Sequence, residues 1–426
     1  MGLVISLPPE RMSCLKRLLA FLAFLFAFLG PQVAHADPVK IQWTGVSFLS
    51  PPGEQHSLAP ILGRLLKDPV ARSRLDQRIK AALAGVDAAS PDWELATELE
   101  RQGDDSYMLT FAIAIENVET ASSGGLSSTS YEIQASVLVA NLSKDSSRQR
   151  IVTNYPVRVR FNTIDESPQN PGLHASAFEA MLLSPTAEMP DLVGLWAARA
   201  RDIEFREKKV WLRVAPLSFA AEARAALDGL AVSRDDQEIL RQIQMQGSAL
   251  LEAQISEQLN IPVIPFGAKG EMERMSLQFA NVDASTSFKP PNPDFSIIVD
   301  IRALRHAVTQ SISAGGNPLE QQVFGGAFVV SLISESSDSS QPGENFAAPL
   351  QLRRLDATDR YAAGTRQLAT LPQFRKLVSN FSNELGQAFS RADPNWFKTA
   401  RSDFETRDPK KLAGIVSDFG RRLSNN

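Results

Sequence analysis

Strict alternation between large apolar residues and small or polar ones marks two stretches of this chain as strands. Tyr107, Leu109, Phe111, Ile113 and Ile115 are interleaved with Met108, Thr110, Ala112, Ala114 and Glu116. Farther on, Phe295, Ile297, Val299 and Ile301 alternate with Ser296, Ile298, Asp300 and Arg302. A period of two with one large apolar face predicts a sheet covered on one side. Each run leads into a Gly/Ser-rich stretch, 120–130 or 310–322, which reads as a flexible loop longer than a tight hairpin. A second alternating run follows at 131–142 and 324–333, then a polar turn and a last strand at 157–161 and 350–355. The long loops are the natural places to look for binding residues.

Helical periodicity flanks these strands. Leu58, Ile61, Leu62, Leu65 and Leu66 share one helix face until Asp68 and Pro69 break it. Leu75, Ile79 and Leu83 stack four residues apart and lead to Gly85, a candidate left-handed cap. Leu251, Ile255 and Leu259 repeat that spacing in a helix whose start is assigned to Ser233. Helices at 174–183 and 192–205 follow the first strand set, and one at 361–392 follows the second with Phe374, Leu377, Val378, Phe381, Leu385 and Phe389 as its apolar stripe. Short strands are expected at 41–48 and 210–219.

The two sets look like one module written twice. Gly124-Gly125 recurs as Gly315-Gly316, Asp145-Ser146-Ser147 as Asp338-Ser339-Ser340, and Asn154 with Tyr155 as Asn345 with Phe346. Self-similarity over so long a period points to two similar domains rather than a solenoid. The expected fold class is α+β, with each module an antiparallel sheet of three or more strands covered by helices on one face. The modules are assigned to 37–209 and 210–394. A tail at 395–426 reads as helices docking on the second module, through Phe397, Phe404, Leu412, Ile415, Phe419 and Leu423. Its sharper alternative is a partner- or membrane-binding segment.

The N-terminus changes the picture of where such a protein works. Arg11, Lys16 and Arg17 precede an apolar run, 18–29, followed by Gly30, Pro31 and Ala34-His35-Ala36. That order is a cleavable secretory signal over 1–36, with Asp37 as the mature start. The run falls short of the ~20 residues needed to span a bilayer, and nothing later is apolar enough to do so. Periplasmic residence follows as the expectation.

Composition then removes several chemistries. The single cysteine, Cys14, leaves with the signal, so the mature chain has no thiol for disulfides, metal sites or nucleophilic catalysis. Removing Arg11, Lys16, Arg17 and Glu10 from 44 basic and 48 acidic residues leaves 41 and 47, a net charge of −6. Charges of both signs are interspersed without a basic stripe, which argues against nucleic acid as a partner. The mature histidines His56, His174 and His306 lie far apart and form no metal-binding motif. No Gly-x-Ser-x-Gly, phosphate loop or dinucleotide fingerprint occurs in the mature chain.

The acidic pairs Asp104-Asp105, Asp165-Glu166 and Asp235-Asp236 fit a turn, a strand end and a helix first turn better than a glycosidase pair. The Pro-rich piece from Lys289 to Pro293 reads as a stiff connector. No catalytic, metal or cofactor residues are assigned, and no cofactor is expected. The binding candidates are Arg158, Arg160, His306, Arg353 and Arg354. Arg158 and Arg160 sit opposite Val157, Val159 and Phe161, on a solvated strand face or an anion-contacting one. The function expected is non-catalytic, a binding or assembly role with a protein partner in the cell envelope. Two alternatives stand beside it: an envelope hydrolase using His174, His306 and Asp300 in a cleft between modules, and a carrier of small ligands.

Overall fold

The alternating runs form longer strands than their clearest residues. The computed structural model describes residues 39–50, 58–87, 93–96, 106–123, 126–143, 149–165, 171–201, 203, 210–228, 234–265, 275–280, 285–314, 317–334, 350–362, 366–391, 395 and 409–424. The predicted signal, His56, the Ser233 cap, both Asp-Ser-Ser triplets and the boundary at 209 lie outside them. The earlier strands are β1 (Val39–Ser50), β2 (Trp93–Leu95), β3 (Tyr107–Ser123), β4 (Leu126–Asn141) and β5 (Ile151–Asp165). The later ones are β6 (Leu212–Val214), β7 (Ser218–Phe219), β8 (Val263–Ile264), β9 (Met275–Phe279), β10 (Ser285–Phe288), β11 (Phe295–Ala314), β12 (Asn317–Ser334) and β13 (Leu350–Ala362). The helices are α1 (Pro60–Leu65), α2 (Pro69–Asp87), α3 (Pro171–Leu183), α4 (Leu192–Arg201), α5 (Ala221–Asp228), α6 (Arg234–Leu259), α7 (Arg366–Arg391) and α8 (Pro409–Ser424).

The chain is α+β in class. Its first sheet runs β10-β9-β1-β3-β4-β5 with β2 also on β1, and its second runs β13-β12-β11-β6-β8 with β7 on β11. Neither is purely antiparallel, contrary to expectation. β1 is parallel to β3 and to β2, and β6 is parallel to β11 and to β8. The reason lies in the helices between β1 and β3: a helical crossover returns the chain to the same end of the sheet.

The predicted long loops are largely strand. Ser123 pairs with Leu126 and Ala314 with Asn317, so only Gly124-Gly125 and Gly315-Gly316 separate the paired residues. The β3–β4 pair has an irregularity between Ile113 and Ile115, and the β11–β12 pair has two, between Ile301 and Ala303 and between Val308 and Gln310. β1 has its own irregularity between Trp43 and Val46, where Gly45 takes φ 96. A left-handed glycine is the usual way to make room for an extra residue. Gly85, by contrast, lies inside α2 and caps nothing. Tyr361, expected in a helix, belongs to β13.

Two cores follow from the large faces. Leu109, Phe111, Ile113, Ile133 and Val137 pack under α2, α3 and α4 through Leu75, Ile79, Phe178 and Trp196. Ile297, Val299, Phe328 and Val330 pack under α6 and α7 through Leu251, Ile255, Phe374 and Leu377. Phe328 stacks on Phe381 at 3.9 Å between ring centroids, with planes 5° apart. α8 belongs to this second core, with Val416 and Phe419 buried and Phe419 edge-on to Phe295 at 5.4 Å. Of the tail residues named from the sequence, Phe419 is the one whose side chain is described; Phe397 and Phe404 and the side chains of Leu412, Ile415 and Leu423 lie outside the described residues.

The other face of the first sheet is also buried, which corrects the expectation of one covered face. Met108, Ala112, Ala114 and Leu138 are inaccessible or nearly so, and Ala249 of α6, Ile264, Met275, Leu277 and Phe288 lie against them. Small residues on a strand face admit another backbone at close range, so the Ala-rich alternation marks a second packing surface. The hairpin β9–β10 completes it: Ser47–Ser50 of β1 pairs antiparallel with Ser276–Phe279. The Pro-rich connector is fixed there too, since Lys289 exchanges backbone hydrogen bonds with Gln149 and Ile151.

Candidate functional site

A cleft forms where β5 and α4 meet α6. Pro156, Val157 and Arg158 come from β5, Leu195, Ala198 and Arg199 from α4, and Ala253 and Glu257 from α6. Its volume is about 230 Å³. β5 edges the first sheet, and its buried Asn154 donates to the Val263 carbonyl of β8 at 3.0 Å. That bond ties the border of one sheet to the border of the other.

Each wall places its side chains by ordinary means. Alternation along β5 sends Arg158 away from the Val159 core face. There its side chain is 17% exposed, and its guanidinium meets Glu132 at 3.5 Å and donates to Asn383 of α7 at 3.2 Å. On α4, Leu192, Val193, Trp196 and Ala200 face the core, leaving Leu195 and Ala198 outward. Arg199 lies over the Tyr155 ring at 4.4 Å and donates to the Ser256 carbonyl at 3.0 Å and to Asn260. Asn260 ends α6 with φ 54, a left-handed cap conformation that Asn tolerates. Leu195 is 48% exposed and lines the cleft. Two guanidinium groups, one exposed carboxylate and an aliphatic wall can receive an anionic group with an apolar body.

Among the described residues, Arg160 and His306 do not line this cleft. Arg160, two residues beyond Arg158, is exposed and donates to Ser130 at 2.6 Å. His306 lies on β11 and stacks on Phe324 at 5.5 Å. Arg353 and Arg354 occupy β13 opposite Ala327 and Gly326, and their side chains lie outside the described set. The hydrolase markers are dispersed as well. His174 pairs with the Tyr131 hydroxyl at 3.1 Å, while Asp300 accepts from Ser218 and meets Arg302 at 2.8 Å. Sequence reasoning missed Leu195, Arg199 and Glu257. One signal was available: Leu195 and Arg199, four apart, share the outward face of a helix.

A shifted titration can also mark a site. Burial pushes the Glu116 carboxyl up to about 7, against the lowering pull of the Ile61 and Leu62 amides and of Arg64. Its two oxygens accept from those amides at 2.6 and 2.7 Å. α1 begins after Ala59, which has no side-chain acceptor to cap it. Glu116 supplies that cap from β3, a structural use of a buried acid. Among the described residues no three His, Cys, Asp or Glu side chains are grouped to hold an ion, and no helix is long and apolar enough to cross a membrane.

No protein-family model matches the chain, and no curated protein matches it. Among solved structures, a similar chain is a minor lipoprotein from Acinetobacter baumannii, at 12% sequence identity. The likeness covers 42% of this chain and 92% of that one, with a TM-score of 0.19. At that score it carries no argument about fold or function.

Proposed function

We propose that this is an exported, periplasmic binding or assembly protein, non-catalytic, built from two copies of one α+β module and acting on an envelope partner through the cleft where the copies meet. The duplication is supported by register. Phe111 pairs with Val137 and Val299 with Val330, the residues that the sequence repeat equates. The β3 and β11 bulges also fall at positions the repeat equates, and bulges persist within families. In each sheet a parallel strand precedes an antiparallel three-strand meander.

The cleft carries the binding reading. It is walled by residues of both proposed copies, and it joins an exposed leucine to two arginines, with Tyr155 stacked beneath one of them. Arg and aromatic groups around an apolar anchor are the usual energetic centres of interfaces. Export is supported by the order of charge, apolar run and Ala-x-Ala in residues 1–36.

The test is site-specific photocrosslinking in the native host. A crosslinker at Leu195 should capture one envelope protein, while the same group at exposed Val70 on α2 should not. The purified chain should begin at Asp37. Equal capture at both positions, or an unprocessed chain retained in the cytoplasm, would defeat the reading.

A further inference from the structure

Resting on that reading of the cleft, we infer that its ligand is a short apolar group ending in a carboxylate, received tail-inward beside Arg158 and Arg199. At 230 Å³ the cleft is smaller than the ~300–1,000 Å³ of pockets that take drug-sized ligands. At the ~30 Å³ a water-sized group occupies in a liquid, it holds on the order of eight heavy atoms. Its lining offers both polar and apolar surface. Pro156, Val157, Ala198, Ala253 and Leu195 supply aliphatic surface, and the two guanidinium groups supply positive charge that attracts a carboxylate.

Both arginines are already held by the protein. Arg158 lies between Glu132 and Asn383, and Arg199 is fixed over Tyr155 with donations to Ser256 and Asn260. Such bracing orients a guanidinium before the ligand arrives and reduces the ordering cost of binding. The cleft carboxylate, Glu257, is exposed on α6 and gives the site a tunable opposing charge.

The same chemistry has two sources, a free short-chain acid or the C-terminal leucine of a polypeptide. Titration calorimetry of the mature chain with hexanoate and with acetyl-glycyl-leucine tests them. Hexanamide and the peptide amide serve as uncharged counterparts. The acids should bind at least tenfold more tightly than their amides and lose affinity with added salt. Tighter binding of hexanoate assigns a free acid, and tighter binding of the peptide assigns a chain terminus.

Arg158→Gln removes two structural contacts and can unfold the chain, so rim variants keep the test clean. Leu195→Glu should weaken the acids several-fold, and Glu257→Gln should tighten them roughly two- to fivefold, the scale of an exposed charge interaction. Acids that bind no better than amides, or variants that leave acid affinity unchanged, overturn the inference. If crosslinking at Leu195 nonetheless captures its partner, the ligand class falls and the binding role stands.

Discussion

Replacing Glu116 by Gln should change how stability depends on pH, because this buried acid carries its proton differently in the folded and unfolded chain. Its ordinary value of 4.5 rises to about 7 in the fold. Between these values the folded chain holds a proton that the unfolded chain has released. The stability this group contributes is therefore full below about 4.5 and is lost as pH rises through about 7. At 1.36 kcal/mol per pH unit, the interval from 4.5 to about 7 amounts to roughly 3 kcal/mol. The amide in Glu116→Gln does not titrate. Its oxygen can still accept from one of the Ile61 and Leu62 amides, now 2.6 and 2.7 Å from the carboxylate. Urea unfolding of both chains at pH 4.5 and pH 8 cancels every other titration. The wild-type advantage over Glu116→Gln should fall by roughly 3 kcal/mol between those conditions. An advantage that stays constant, or that grows with pH, would refute the reasoning and show that the two amides outweigh burial.

Other substitutions probe the packing that creates the cleft. A methyl group at Gly386 of α7 would lie 2.5 Å from Gln254 Cβ of α6. Gly386→Ala should cost about 1–3 kcal/mol in thermal or chemical unfolding. In Gly414→Ala the new Cβ has nothing within 4 Å, so helix propensity should stabilise α8 by up to ~1 kcal/mol. Phe328→Ala removes a fully buried ring stacked on Phe381 and should lower unfolding free energy by about 3–5 kcal/mol. Asn154→Ala leaves the Val263 carbonyl without that donor at the sheet border. It should cost about 1–3 kcal/mol, with faster hydrogen exchange at β8 as the local readout.

Alternation and helical spacing carried much of the fold. Tyr107 to Ile113 and Phe295 to Ile301 present their large side chains to the helix-covered cores because a pleated strand alternates its faces, whereas the irregularity after Ile113 puts Ile115 on the opposite face with Met108 and Ala112. Two features escaped a local reading. The stretch 120–130 is rich in Ser and Thr and reads as loop, yet Thr120 pairs with Thr129 in the ladder. Backbone pairing along the ladder overrides composition there. The second face of the first sheet reads as polar or exposed because Ala and Thr alternate on it, and only packing by Ala249, Met275 and Phe288 makes it interior. The cleft shows the same division. Arg158 is visible from strand alternation, whereas Leu195, Arg199 and Glu257 acquire meaning only when α4 meets α6.

The hairpin β9–β10 ties the history of the first sheet to the rest of the chain. As synthesis proceeds from the N-terminus, β1 is made early, but the partner of its outer edge, residues 276–279, emerges only after β8. Until then that edge offers unpaired amides and carbonyls, and Met108 and Ala112 lack their apolar cover. Without β9 and β10, the N-terminal portion would leave that strand edge and that apolar face uncovered. A product truncated before residue 275 should therefore aggregate or be cleaved more readily than the full chain, a difference that limited proteolysis of the two would reveal.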